Sequence, residues 1–312
     1  MSPAHPLLDA AVLAAIEHAA SEHRGRRWVS RGFTDTDDRA SHPSGILHGM
    51  PFSVFAKLSV AADAPEQFTA ELAGLRLLSR AAQVRVPVPV AAGLVEVPAG
   101  ALLLSEALPE RRPESRERRD WQSIGQVLAA LHQVGHAQFG LDGPPGFFGP
   151  LPQDNRPVPS NQWADFYRRR RLDPMLRAAV DSGHLPPALA AGVGQIAARL
   201  PALAGPDPRP ALLHGDAQQN NFVSTAVGAV VIDAAPYFGH PEADLALVDY
   251  FEPVPDDVFA AYREVAPVDP GFADRRELWR LAGYLAVVAV DGHRPFGRRC
   301  LDRLAAAVRV YR

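Results

Sequence analysis

The hydrophobic period changes along the chain, and each change marks an element. Leu8, Val12, Ala15, Ile16 and Ala19 fall on one face of a helix near the start. Residues 53–60 alternate instead: Val54, Ala56, Leu58 and Val60 share the apolar face of a strand, and Lys57 stands on the other face with Phe55. Helical spacing returns over 68–78, where Glu71 lies on an edge with Leu75 and Leu78 and so points inward. It recurs at Trp121, Ile124, Val127, Leu128 and Leu131, just before His132, which reads as a satisfied structural histidine. Residues 222–224 and 229–232 are short apolar strands around a turn at 225–228, which predicts a hairpin. Leu278 with residues 281–290 predicts a buried helix, and Leu301, Leu304 and Val308 predict a last amphipathic one. Proline and glycine gather at 140–159 and 201–210, which predicts loops, and no internal repeat is present.

Composition narrows the class. The 312 residues suffice for two lobes with a sizeable core between them. A formal net charge of -3, from 32 basic and 35 acidic residues, supplies no long-range field for nucleic acid or anionic lipid. The one cysteine, Cys300, excludes a disulfide framework and a cysteine-based zinc site. The longest apolar run, 281–290, is interrupted by Gly283 and is far shorter than the about twenty residues a spanning helix needs. The first residues lack the basic start and continuous apolar run of a signal peptide, so a cytoplasmic protein is expected. The oligomeric state stays open.

The densest chemistry follows Leu212-Leu213. His214-Gly215-Asp216-Ala217-Gln218-Gln219-Asn220-Asn221 leads into the first strand of the hairpin, and Asp233 follows the second. Antiparallel pairing brings Asn221 and Asp233 together at the open end. Phosphoryl transfer to a hydroxyl needs a base near the acceptor and cations that bridge the phosphates. Asp216 is the candidate base, and the spacing from Asp216 to Asn221 is that of a kinase catalytic loop. Magnesium prefers hard oxygen donors, which the Asn221 amide and the Asp233 carboxylate supply. An ordinary turn could carry any one of these patterns; their joint order makes the composite motif.

This segment resembles the catalytic region of the aminoglycoside-phosphotransferase-like kinases, and most of all the fructosamine (ketosamine) kinases. Ile232-Asp233-Ala234-Ala235-Pro236-Tyr237-Phe238-Gly239-His240-Pro241-Glu242-Ala243-Asp244-Leu245-Ala246 is similar to that family's metal aspartate, aromatic pair, Gly-His and Glu-x-Asp-Leu-Ala. The resemblance implies an α+β, two-lobed, protein-kinase-like fold, with a small N-terminal lobe and antiparallel sheet over 1–105 and a larger, mainly helical lobe over 106–312. It implies ATP and Mg2+ as cofactors, with Lys57 positioning the nucleotide. Glu71 is its expected partner, since an inward carboxylate is costly unless paired. Residues 101–108 are placed like the strand and hinge where Glu106 and Leu108 offer backbone groups to adenine.

The expected acceptor is a small molecule: a hydroxyl of a ketosamine or related sugar derivative, or an aminoglycoside-type antibiotic. A silent nucleotide-binding module is the remaining alternative, against which the complete catalytic set speaks. Arg168-Arg169-Arg170-Arg171 continue a segment similar to the family's Trp and Arg-Leu, and four in a row on a helix predict a solvated face, with substrate contact as the alternative.

Three departures matter. Gln218 stands where the family commonly has Trp, and Pro241 where it commonly has Arg; both are expected beside the acceptor pocket. Residues 30–50 lack a dense glycine cluster, with Gly32, Gly45 and Gly49 spread among Asp35, Asp37 and Asp38. Those carboxylates would repel a triphosphate, so they are expected to face solvent or to leave the phosphates to Ser41-His42-Pro43-Ser44-Gly45. His42 and His48, with no thiol nearby, read as structural or solvent-exposed.

Overall fold

The computed structural model describes residues 5–37, 42–60 and 64–312. The first amphipathic segment forms helix α1 (Ala10–Arg24), started by Asp9, whose carboxylate accepts the Ala11 and Val12 amides at 2.9 and 3.3 Å. Gly25 ends it with φ 72°. Strands β1 (Gly32–Asp35), β2 (Ser44–His48) and β3 (Val54–Ser59), helix α2 (Ala64–Ala82), and strands β4 (Val95–Val97) and β5 (Gly100–Glu106) follow. The strands make one antiparallel sheet in the order β1-β2-β3-β5-β4. Alternation in β3 sends Val54, Ala56 and Leu58 into a core with Val12, Ile16, Leu102 and Leu104, and leaves Lys57 on the opposite face.

Two positions differ from the pattern. Leu7, not Leu8, is buried, because a 3-10 turn at Pro6–Leu8 precedes α1 and shifts the phase. Val60 lies beyond the end of β3 and is exposed.

The rest of the chain is mainly helical. It runs through α3 (Arg118–Gln133), a small hairpin of β6 (Gly146–Phe148) and β7 (Leu151–Gln153), α4 (Trp163–Tyr167), α5 (Asp173–Asp181) and α6 (Pro187–Leu203). Then come β8 (Ala211–Leu212), β9 (Phe222–Thr225), β10 (Gly228–Val231), β11 (Phe238–Gly239), α7 (Pro241–Leu247), α8 (Asp257–Arg263), α9 (Phe272–Asp291) and α10 (Pro295–Tyr311). A second core joins α3, α4, α9 and α10, and the end of α2 enters it through Leu75 and Leu78. No helix among the described residues is long and apolar enough to cross a membrane.

Here too the structure corrects details. The hairpin of β6 and β7 sits inside the expected 140–159 loop, since strands of three residues carry no readable period. Helix α6 runs past Pro201 to Leu203, so the following loop is shorter than expected. The arginine run is a π-turn, Arg168–Leu172, and Arg171 is buried, only 3% exposed. Its guanidinium lies 3.9 Å from the Tyr237 ring centroid and donates to Asn155 Oδ1 at 2.5 Å, so the solvated reading fails there.

Candidate active site

β8 pairs with β11 and buries Leu212 and Leu213, which delivers the following loop to a fixed place. Gly215 takes φ 86°, and a Cβ there would lie 2.0 Å from the Ala235 carbonyl oxygen, so only glycine fits. The loop is held by Asp244, a carboxylate buried in α7. Its oxygens accept the His214 amide at 2.6 Å and the Gly215 amide at 3.0 Å. His132 Nε2 bonds the same carboxylate at 3.2 Å, and the Tyr262 hydroxyl meets its Nδ1 at 2.9 Å, so His132 is structural. His214 accepts the Asp216 amide on Nδ1, which leaves its Nε2–H to donate to the Ile232 carbonyl at 3.1 Å. Burial pushes this imidazole's pKa down, against the pull of Asp244 and Asp233, and it stays neutral.

Asp216 faces a cavity of about 400 Å³. Burial raises its carboxyl to about 7, the Asp233 charge adds to this, and hydrogen bonding from Gln218 and Asn221 opposes it. Such a value suits a base working near neutrality.

The hairpin forms as read, with a tighter turn: Thr225 pairs with Gly228, so only Ala226 and Val227 connect the strands. At the open end Ile232 donates its amide to the Asn221 carbonyl at 3.0 Å. Asn221 is buried and donates its Nδ2 to the Asp216 carbonyl at 2.8 Å, so its amide oxygen is the atom offered to the cleft. Asp233 follows with φ 52°, the left-handed region, a strain of about 1–3 kcal/mol that functional sites tolerate.

Lys57 reaches into this corner from β3. Its Nζ donates to Glu71 at 3.0 and 3.2 Å and also contacts the Asp233 carboxylate. Burial works to lower the Lys57 pKa, yet the carboxylates of Asp233 and Glu71 outweigh it and hold the group well above its ordinary value. Burial pushes the Glu71 carboxyl up, and Lys57 opposes it. Burial also works against the Asp233 charge, but Lys57 prevails and the net direction is down.

A second cavity, of about 350 Å³, shares Lys57, Glu71, Asn220, Ile232 and Asp233 with the first and extends to Leu104, Ala107 and Leu108. Its apolar walls and the turn at Leu108, whose carbonyl accepts the Glu110 amide at 2.8 Å, suit a flat base. The Glu106 side chain turns away to His23 Nε2 at 2.9 Å, and its amide bonds the Val88 carbonyl. The two cavities thus meet at a corner made by a lysine, a carboxamide neighbour and two acids.

Asp35 and Asp37 are taken up by groups of their own lobe. Asp37 accepts the Ser44 amide at 2.6 Å and pairs with His5 at 3.1 Å, while Asp35 accepts the Asp37 amide at 2.9 Å. Thr36 and Ser44 line the second cavity instead, bonded to each other at 2.7 Å. Asp38 and Ser41 lie outside the described residues. His42 packs on Phe68 and His48 bonds Thr34, so the two histidines are not a pair.

Residues 14–302 match the family model described as Fructosamine kinase. The chain belongs to the fructosamine kinase family. The Synechocystis protein slr1563, named a probable ketoamine kinase, is 34% identical over 221 residues that cover 69% of this chain and 70% of its own. A Thermobifida fusca crystal structure named for fructosamine-3-kinase superposes with a TM-score of 0.77 at 30% identity, covering 94% of this chain and 98% of that one. A thermostable mutant of aminoglycoside phosphotransferase APH(4)-Ia, solved with AMP-PNP and hygromycin B, gives a TM-score of 0.62 at 17% identity over 95% and 98%. That likeness shows the fold alone, and the α+β, protein-kinase-like architecture expected from the sequence is borne out.

Of the two departures expected beside the acceptor pocket, only Gln218 lines the cavity that Asp216 faces, its Nε2 3.5 Å from Asp216 Oδ2. Pro241 instead opens α7, behind His240, whose Nδ1 accepts the Glu242 amide at 3.1 Å. Sequence reasoning gave Asp244 no role and passed over Asn155, which lines the cavity and is held by Arg171. Two acids inside the otherwise apolar 241–247 were the available signal for Asp244.

Proposed function

We propose that this chain transfers the terminal phosphoryl group of ATP to a hydroxyl of a ketosamine or a closely related sugar amine. The observation that carries the reading is the corner where two cavities meet at Lys57, Glu71 and Asp233, with Asp216 facing one of them. Family membership and the ketoamine kinase relative support the acceptor class.

In this reading the lobes divide at 105/106, and the adenine edge meets the backbone of Glu106 and Leu108. Lys57, steadied by Glu71, positions the phosphates. Asp216 accepts the acceptor hydroxyl proton as that oxygen bonds to phosphorus and the bond to the departing ADP oxygen breaks. ATP supply fits a cytoplasmic setting.

The donor set fits magnesium. Asp233 already draws a cation, Lys57, and its side chain remains 38% exposed, while Asn221 has its nitrogen committed and its oxygen free to ligate. Held by Asn221 and Asp233, the ion would neutralise charge on the phosphates.

The test is a comparison of acceptors with the purified chain, ATP and Mg2+, read as transferred phosphate. A ketosamine is expected to exceed a free sugar and an aminoglycoside by about 100-fold in kcat/KM. A preferred aminoglycoside would overturn the acceptor assignment.

A further inference from the structure

Helix α2 walls both cavities, and one residue decides how closely it approaches the catalytic centre. Gly74 is buried one helical turn beyond Glu71. A Cβ built there would lie 2.7 Å from Pro236 Cδ and 2.9 Å from the Ala234 carbonyl oxygen, closer than real Cβ contacts come. The helix can sit on residues 234–236 only because that position carries no side chain.

The seat lies at the end of a short chain of contacts. Residue 234 follows Asp233 directly; Asp233 contacts Lys57; Lys57 bonds Glu71 at 3.0 Å. Glu71 and Gly74 are three apart on α2 and therefore share a face. That face grips Lys57 at one point and rests on Pro236 at the next. A side chain at 74 would push the helix outward, and a displacement of about 1 Å is enough to spoil such geometry.

We propose that Gly74 is a positioning residue: by letting α2 close onto Ala234 and Pro236, it sets the Lys57–Glu71 pair and so the grip on nucleotide phosphates. The same closure brings Phe68 and Gly74 against the acceptor cavity. This inference rests on the second cavity being the nucleotide site.

The test measures affinity of the full chain for a fluorescent ATP analogue with Mg2+ and no acceptor, which makes it independent of the acceptor assignment. Gly74→Val is expected to weaken binding by about tenfold or more, and adding Pro236→Ala to recover about threefold or more of it. Gly194→Ala is the control: Gly194 is exposed on α6 with nothing within 4 Å of an added Cβ, and binding should not change. If Gly74→Val fails to fold, Gly74→Ala with and without Pro236→Ala is read in the same way. Unchanged binding in the position-74 variant, or a loss that Pro236→Ala does not relieve, overturns the role of Gly74. A wild-type chain that binds no nucleotide would instead sink the reading of the cleft, and the inference with it.

Discussion

The Asp244 carboxylate accepts the Gly215 amide at 3.0 Å through one oxygen and holds the neighbouring His214 amide with the other. Both donors belong to the loop that carries Asp216, so the backbone fixes where this residue stands. His132 fills a further site on the same carboxylate, and all these groups are buried.

Asp244→Asn keeps one acceptor oxygen and turns an NH2 toward the second donor. The expected cost is about 2–4 kcal/mol of stability, since a buried donor loses its partner. The turnover rate should fall about 100-fold while nucleotide affinity changes little. Urea titration and steady-state kinetics check this; a loss under about 1 kcal/mol with normal turnover would show that the loop is held elsewhere.

Arg171 and Arg169 separate a packed arginine from a solvated one. Arg171→Lys loses the flat contact with Tyr237 and the bond to Asn155, an expected cost of about 2 kcal/mol. Arg169→Lys, on an exposed pair with Asp165, should stay within about 0.5 kcal/mol. Equal melting temperatures for the two variants would contradict the buried role of Arg171.

These arginines mark where the sequence stopped being readable. Lys57 and Glu71 were legible because strand alternation sets Lys57 on the face opposite the apolar one, and an inward carboxylate on the next helix needs a partner, which Lys57 is. Asn221 and Asp233 were legible because hairpin pairing brings its ends together whatever the turn does, even though the turn proved two residues shorter. Arg171 was not, because a π-turn abandons the 3.6-residue period on which facing arguments rest. Asn155 was not, because its place depends on a loop folding back to Arg171, a contact that no spacing encodes.

His240 is expected to make stability depend on pH. Burial pushes its pKa down from 6.5 to about 4, against the pull of Glu242. The folded state therefore binds the proton less readily than the unfolded chain. The contribution, about 3 kcal/mol, is whole above about 6.5 and is lost as pH falls toward 4. His240→Asn keeps an acceptor for the Glu242 amide and removes the titration, so its stability should fall less steeply between pH 6.5 and 4. Parallel curves for wild type and variant in thermal melts across that window would show that this imidazole is not the titrating group.

The most direct measurement is phosphate transfer by Asp216→Asn beside nucleotide binding by the same variant. Transfer to a ketosamine should drop by about 1,000-fold or more, while Mg2+-dependent ATP affinity stays within about threefold of wild type. Transfer that persists within about tenfold of the wild-type rate would contradict Asp216 as the group that takes the acceptor proton.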